Sequence, residues 1–409
     1  MTADVAHMVD RSLDAGEGIL RLAPTWVPRS FLVPGRRLKL APADLYALGA
    51  HRGGIDERWL GSTIPADNEG APPDEGLSYI VGPEERFSLR DAVAAAGDRI
   101  IGRRLMENYG GWKVFAKLFD NLGPIPHHLH QRAHHAKQVG REPKPEGYYF
   151  PPQLNAVRNR FPYTFFGLEP GTSRDDVRRC LDRWDRGDNG ILDLSRAYTL
   201  TPGTGWLVQA GILHAPGSLV TYEPQWASDV AAMFQSMVED SRVPRRLLVK
   251  DVPEDRHQDL DYLVDLIDWD ATVDPFFKAH HYLRPIPVGP QDEGAEDRWI
   301  VYGRVDGKPL LSARELTVQP GAHVVLRDRA ASCAIAVQGR GILGALMVET
   351  PIMIRLGEMT SDEFFITEPA AHEGVAVRNT GGEPLVLLRN FGPEAIPGVP
   401  DVRGDEEAR

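Results

Sequence analysis

Apolar residues along this chain recur mainly at two-residue spacing, in short runs closed by Gly or Pro. Val114, Ala116 and Leu118 alternate with Phe115, Lys117 and Phe119, which predicts a strand running on from Trp112. Strands are also predicted over residues 146–150, 206–209 and 218–225, the last two each opened by a Gly or Pro turn. Helical spacing is confined to a few places. Residues 88–109 carry cap candidates Ser88 and Asp91 before an Ala-rich run, and 173–184 place Asp175 and Asp176 in a first turn. Leu260, Leu263, Val264 and Ile267 mark another helix. Val230, Met233, Phe234, Met237 and Val238 fall at i, i+3, i+4, i+7 and i+8 with Ser228 as a cap candidate, a fit to a helix face that leaves 227–250 ambiguous. Residues 1–75 show no sustained period and read as irregular coil with short strands. Beyond a stretch rich in Pro, Gly and acids at 285–298, residues 299–392 return to short apolar strands punctuated by turns such as Pro320-Gly321 and Gly381-Gly382.

This pattern predicts a mainly β protein with helical additions. Its expected organisation is an N-terminal segment (1–110) packing on a first β unit (111–284), a linker (285–298), a second β unit (299–395) and an acidic tail (396–409). The 40 Gly and 33 Pro among 409 residues agree, because many short strands need many corners. A balance of 46 Lys and Arg against 58 Asp and Glu leaves −12, which argues against nucleic acid or an anionic membrane as partner. Cys180 and Cys333 are too few for a disulfide framework. The N-terminus lacks a signal-peptide pattern, and no apolar run approaches the ~18 residues of a spanning helix. A cytoplasmic location is the expectation.

Thirteen histidines change the picture, since five of them lie between positions 127 and 135. In a strand, His128 and His130 share a face and can converge on one ion. Lys144, Glu146 and Tyr148 likewise share a face. In a polar lumen Glu146 becomes a third ligand; an exposed edge strand would suit the same residues. His214 is the fourth candidate, following a Gly-turn, a strand and a second turn at Gly211. Thr221, Glu223 and Gln225 line one face of their strand, as either a cavity wall or a solvated surface.

These residues resemble the metal set of the cupin superfamily, and specifically of type I phosphomannose isomerase-like proteins. Lys144-x-Glu146-x-Tyr148-Tyr149 is similar to that family's Lys-x-Glu-x-Trp-Tyr motif. Phe166-Gly167-Leu168-x-x-Gly171 resembles its Gly-Phe/Leu-x-x-Gly element, and the run from Pro202 to His214-Ala215 its Pro-Ala-Gly-x-x-His-Ala motif. Glu223-x-Gln225 with Ser228-Asp229 resembles its Glu-Ile-Gln…Ser-Asp run, and Glu57-Arg58-Trp59 with Ser62 echoes its Glu-x-Trp-x-x-Ser. The resemblance implies a bicupin of two jelly-roll barrels. It also implies an aldose–ketose isomerase acting on a sugar or sugar phosphate through an enediolate. His128, His130, Glu146 and His214 would hold one divalent metal, zinc by resemblance, with Mn, Fe, Co or Ni also suited to the set. Lys144 and Tyr148 would be catalytic, and Lys117, Glu223 and Gln225 would bind a small carbohydrate substrate.

There are departures. His128 stands where the family has Gln, and Gln209 where Pro is usual. The segment after Ser228-Asp229 holds no Arg before Arg242, so a bidentate phosphate partner is missing there. Arg158, Arg160 and Arg196 are nearby but read as surface residues. A His3Glu cupin can alternatively serve as an oxygenase, or as a non-catalytic sugar-binding or regulatory protein. The second β unit offers only His323 and His372 and reads as metal-free. His134, His135, His280 and His281 read as loop or surface positions.

Overall fold

In the computed structural model, residues 2–289 and 291–402 are described. Strands make up 31% of the residues and helices 23%, arranged in several antiparallel sheets, so the mainly β expectation holds. Two β units sit side by side. The first pairs a seven-stranded sheet with a five-stranded one. The large sheet runs in the order Tyr282–Leu283, Gly205–Val208, Glu146–Tyr149, Thr221–Trp226, Val114–Phe119, Gly54–Leu60, Thr25–Arg29. The small sheet runs Ser195–Thr199, Tyr163–Leu168, His214–Ala215, His128–Leu129, Ala232–Met233. The second unit pairs another seven-stranded sheet, which includes Ala295–Val301 and Leu385–Phe391, with a four-stranded one.

The Val114–Phe119 strand shows why two-residue spacing appears without a polar face. All six residues are buried, because the large sheet is covered on both sides. Val114, Ala116 and Leu118 pack into the core shared with the second unit, alongside Tyr149, Tyr222, Ile335 and Leu388. Phe115 and Phe119 face the interior of the first unit, Phe119 against Tyr148, Phe166 and Trp206. Lys117 shares that inward face, and a buried ammonium there needs partners.

Several expectations are corrected. Residues 1–75 are not all coil: Thr2–Ala15 is an α-helix, and Val5, Met8, Val9 and Leu13 supply an apolar stripe at helical spacing. The N-terminal segment also joins both units, since Ile19–Arg21 pairs with Glu363–Ile366 of the second while Thr25–Arg29 pairs with Gly54–Leu60 of the first. The 88–109 region is two helices, Leu89–Ile100 capped by Ser88 and Arg103–Tyr109, separated at Gly102 with φ +87°. The 173–184 helix is present as Arg174–Asp182 with a Ser173–Asp176 capping box. The 285–298 stretch contains the strand Ile286–Pro287 and the start of Ala295–Val301.

The ambiguity within 227–250 resolves in favour of short strands rather than an α-helix. Ala232–Met233 is a strand paired with His128–Leu129, and Phe234 N donates to His127 O at 2.7 Å. Glu239 and Asp240, both at positive φ, then turn Met237–Val238 back on Ser241–Arg242. The helical spacing arose because Val230, Met233 and Phe234 are each buried by tertiary contacts rather than along one helix face. Ser228 caps nothing; its Oγ donates to Glu142 O at 2.7 Å.

Candidate metal centre

The centre lies between the two sheets of the first unit. Cross-strand pairing sets His214 opposite His128, and the Gly211 amide donates to His130 O at 2.8 Å. Gly211, at φ +92°, makes the bend that brings His214 to the other two histidines. The three rings are buried, with centroids 4.2 to 5.2 Å apart. Their ligand atoms form a cluster able to hold a metal ion. From the facing sheet, Glu146 places Oε2 3.0 Å from His130 Nε2 and Oε1 3.1 Å from His214 Nε2.

Hydrogen bonding fixes the histidine tautomers. His128 Nδ1 donates to Pro126 O (2.7 Å), His130 Nδ1 to Val230 O (2.6 Å) and His214 Nδ1 to Ile212 O (2.8 Å). A carbonyl only accepts, so each proton sits on Nδ1 and each Nε2 presents a lone pair inward. Burial, with His214 and His130 adjacent, holds the His128 imidazole well below the ordinary histidine range. Burial and the Lys144 ammonium push His130 down to about 4. His214 Nε2 is buried without a hydrogen bond while facing a carboxylate oxygen. Lone pairs facing a carboxylate across ~3 Å repel unless a cation lies among them. The donor set of three imidazoles and one carboxylate fits a divalent ion of the Zn, Mn, Fe, Co or Ni kind.

Lys144 supplies one cation of its own. Its Nζ donates to Glu146 Oε2 at 2.7 Å and to His130 Nε2 at 3.0 Å, and lies 3.4 Å from Glu223 Oε1. Burial would raise the Glu146 pKa, but the Lys144 ammonium at 2.7 Å more than offsets it and holds the carboxyl well below the ordinary carboxylate range. Tyr148 donates its phenol to Glu146 Oε1, and burial together with Glu146 and Glu223 pushes its pKa well up, so it remains a donor. Lys117 bridges Glu223 (3.1 Å) and Glu57 (3.4 Å), whose charges outweigh burial and keep it protonated. Burial and Glu146 push Glu223 up to about 8 despite Lys117 and Lys144.

These groups line a cavity of about 390 Å³ that also touches Arg29, Asp67, Glu69, Asp229, Arg246 and Lys250. The structure brings His128, His130, Glu146, His214, Lys144, Tyr148, Lys117 and Glu223 together, with all but His214 touching the cavity. Gln225 stands apart: its amide turns to Ser228 O at 3.0 Å, and the residue is not part of the lining. Arg158 and Arg160 are exposed, while Arg196 lies over Phe277. His135 and His281, expected on loops or the surface, are buried, against Tyr262 and stacked on Phe277 respectively; His134 and His280 are exposed. His323 and His372 are exposed on the second unit, and His372 pairs with Glu368.

Sequence spacing missed Arg29 and Lys250. Arg29 donates to Asp229 (3.1 and 3.2 Å) and Glu57 (3.2 Å), pairings that raise its pKa against the effect of burial. Lys250 reaches Asp67 at 2.8 Å and Asp251 at 3.0 Å. Arg29 and Asp229 are 200 positions apart, so no local spacing announces them.

No family model and no curated protein matches the chain in sequence. Solved structures do match it. A mannose 6-phosphate isomerase from Bacillus subtilis covers 91% of this chain and 99% of its own, at 16% identity and a TM-score of 0.61. A zinc-bound mannose 6-phosphate isomerase covers 92% and 99% at 14% identity and 0.59. A single-site variant of phosphomannose isomerase from Salmonella typhimurium covers 92% and 99% at 13% identity and 0.58. Among the described residues, no helix is long and apolar enough to cross a membrane. Over nine-tenths of its length, the chain has the fold of the type I phosphomannose isomerases, a cupin fold.

Proposed function

We propose that the protein is a metal-dependent aldose–ketose isomerase acting on a sugar or sugar phosphate. It is built as a bicupin: a first jelly-roll barrel (111–284, joined by strands Thr25–Arg29 and Gly54–Leu60) carries the metal, and a second (299–395, joined by strands Ile19–Arg21 and Ile286–Pro287) is structural. The observation that carries this reading is the set of inward Nε2 lone pairs of His128, His130 and His214 facing Glu146, with Nδ1 of each ring fixed on a carbonyl. The fold likeness to mannose 6-phosphate isomerases supports it at the level of architecture.

Aldose–ketose isomerisation moves one proton between C1 and C2 and another between the two oxygens. A divalent ion bound by His128, His130, Glu146 and His214 supplies Lewis acidity toward those oxygens, and zinc is the favoured identity. Lys144 Nζ, held between Glu146 and Glu223, is placed to donate to a substrate oxygen. Glu223, with a pKa near 8, can take up or release a proton close to neutral pH. Tyr148 and Lys117, both held protonated, orient hydroxyl groups as donors. Gln225 plays no direct part, because its amide points away.

Metal analysis of the purified protein tests this reading. About one divalent ion per chain is expected, with isomerase activity lost on chelation and restored on reloading. Protein that is metal-free and cannot be reloaded rules the reading out.

A further inference from the structure

The charged groups around the cavity are arranged as closed pairs. Five basic and six acidic side chains line it, and every basic one has an acidic partner. Deep in the cavity Lys144 lies between Glu146 and Glu223, Lys117 between Glu223 and Glu57, and Arg29 between Glu57 and Asp229. Nearer the mouth Lys250 pairs with Asp67 and Asp251, and Arg246 with Glu69 at 3.2 Å. Among the described residues lining the cavity, every cation inside the mouth is already engaged by a carboxylate, while Arg246 and Glu69 at the rim are both more than half exposed. A phosphate dianion entering here must strip a cation from its carboxylate, and that carboxylate then faces the phosphate with like charge.

The wall beside the histidines carries no compensating donor. Met233 is the strand partner of His128, Pro216 follows His214 by two residues, and Ile125 is tied to Pro216 by a backbone hydrogen bond of 2.9 Å. All three are buried, and all three line the cavity. An apolar wall facing a polar cluster suits a ligand with C–H edges on one side and hydroxyls on the other. The cavity volume of about 390 Å³ is that of a small-molecule pocket.

We infer that the substrate is an uncharged, unphosphorylated aldose or ketose; this rests on the isomerase reading and narrows it. Deep in the cavity Glu57 and Glu223 accept from its hydroxyls, Lys117 and Lys144 donate, and Met233, Ile125 and Pro216 cover its C–H face.

The test compares free aldoses with their terminal phosphate esters on the metal-loaded protein. It runs turnover beside calorimetric binding of two unreactive probes, sorbitol and sorbitol phosphate. The expected result is a kcat/KM at least about tenfold higher for the free sugar, with sorbitol bound correspondingly tighter than its phosphate. Equal or better use of the phosphate ester overturns the inference while leaving the isomerase intact. Preferential sorbitol binding without any turnover upholds the uncharged class and removes the isomerase. Failure of both probes to bind, with no turnover, overturns both. Glu69→Gln, which releases Arg246 at the mouth, is expected to tighten sorbitol phosphate binding several-fold and leave sorbitol unchanged. No gain shows that pairing is not what excludes the phosphate, and contradicts the inference.

Discussion

At the scale of single residues, the site depends on backbone carbonyls as much as on its side chains. Pro126, Val230 and Ile212 each accept from one of the three clustered histidines, fixing which nitrogen faces inward. His214 is the most constrained of these, fully buried and with its Nε2 unsatisfied. His214→Ala is therefore expected to cut metal content well below one ion per chain while the far-ultraviolet circular dichroism stays that of the wild type. Full metal occupancy in that variant would remove His214 from the set. Asp229 bears on charge rather than metal. Burial would raise its pKa, but Arg29 and Lys250 outweigh this and depress it below its ordinary 3.8. A depressed carboxylate adds stability above its unfolded pKa and loses it as pH falls below that value. At neutral pH Asp229→Asn is thus expected to cost on the order of 3 kcal/mol by leaving Arg29 under-compensated. In urea titrations the gap to wild type should narrow below about pH 4; a gap that stays constant to pH 3 contradicts the ion-pair account.

At the scale of elements, the two units meet where the large sheets are buried on both faces. Gly147 sits in Glu146–Tyr149 between a cavity residue on each side, and a Cβ there would meet Val301 Cγ1 at 2.3 Å. Gly147→Val is expected to destabilise by roughly 1–3 kcal/mol through overpacking, and pairing it with Val301→Ala should recover part of that loss. Absence of any recovery would mean that the strain is not at this contact. Elements with strict alternation, such as Val114–Phe119, were legible in the sequence because period two survives burial on both faces. The 227–250 segment was not. Five apolar residues at helical spacing, from Val230 to Val238, cannot distinguish a helix from a short strand and turn, and hydrogen bonds to His127 decided the outcome. Thr2–Ala15 was missed because Asp4, Asp10 and Asp14 obscured a narrow apolar stripe.

At the scale of the whole molecule, local motifs revealed the innermost residues of the candidate centre: His128, His130, Glu146, Lys144, Tyr148 and His214 stand in short, recognisable runs. The outer wall was hidden, because Arg29, Asp67, Asp229 and Lys250 meet only when distant segments fold over the cavity. Gln225 illustrates the opposite error: same-face spacing with Glu223 was right for the strand, while the amide found a backbone partner instead of the cavity. The second unit contributes packing through Tyr149–Glu315 (2.7 Å) and Tyr222–Asn390 (3.1 Å), which anchor the back of the sheet that carries Glu146 and Glu223. The proposed chemistry is proton movement between neighbouring carbons of a sugar, at a site whose clustered histidines could hold a metal ion. NMR of the metal-loaded protein with a panel of free and phosphorylated aldoses and ketoses tests it most directly. The expected result is aldose–ketose interconversion that stops on chelation and resumes on reloading. Metal-replete protein that leaves every sugar unchanged would contradict this chemistry.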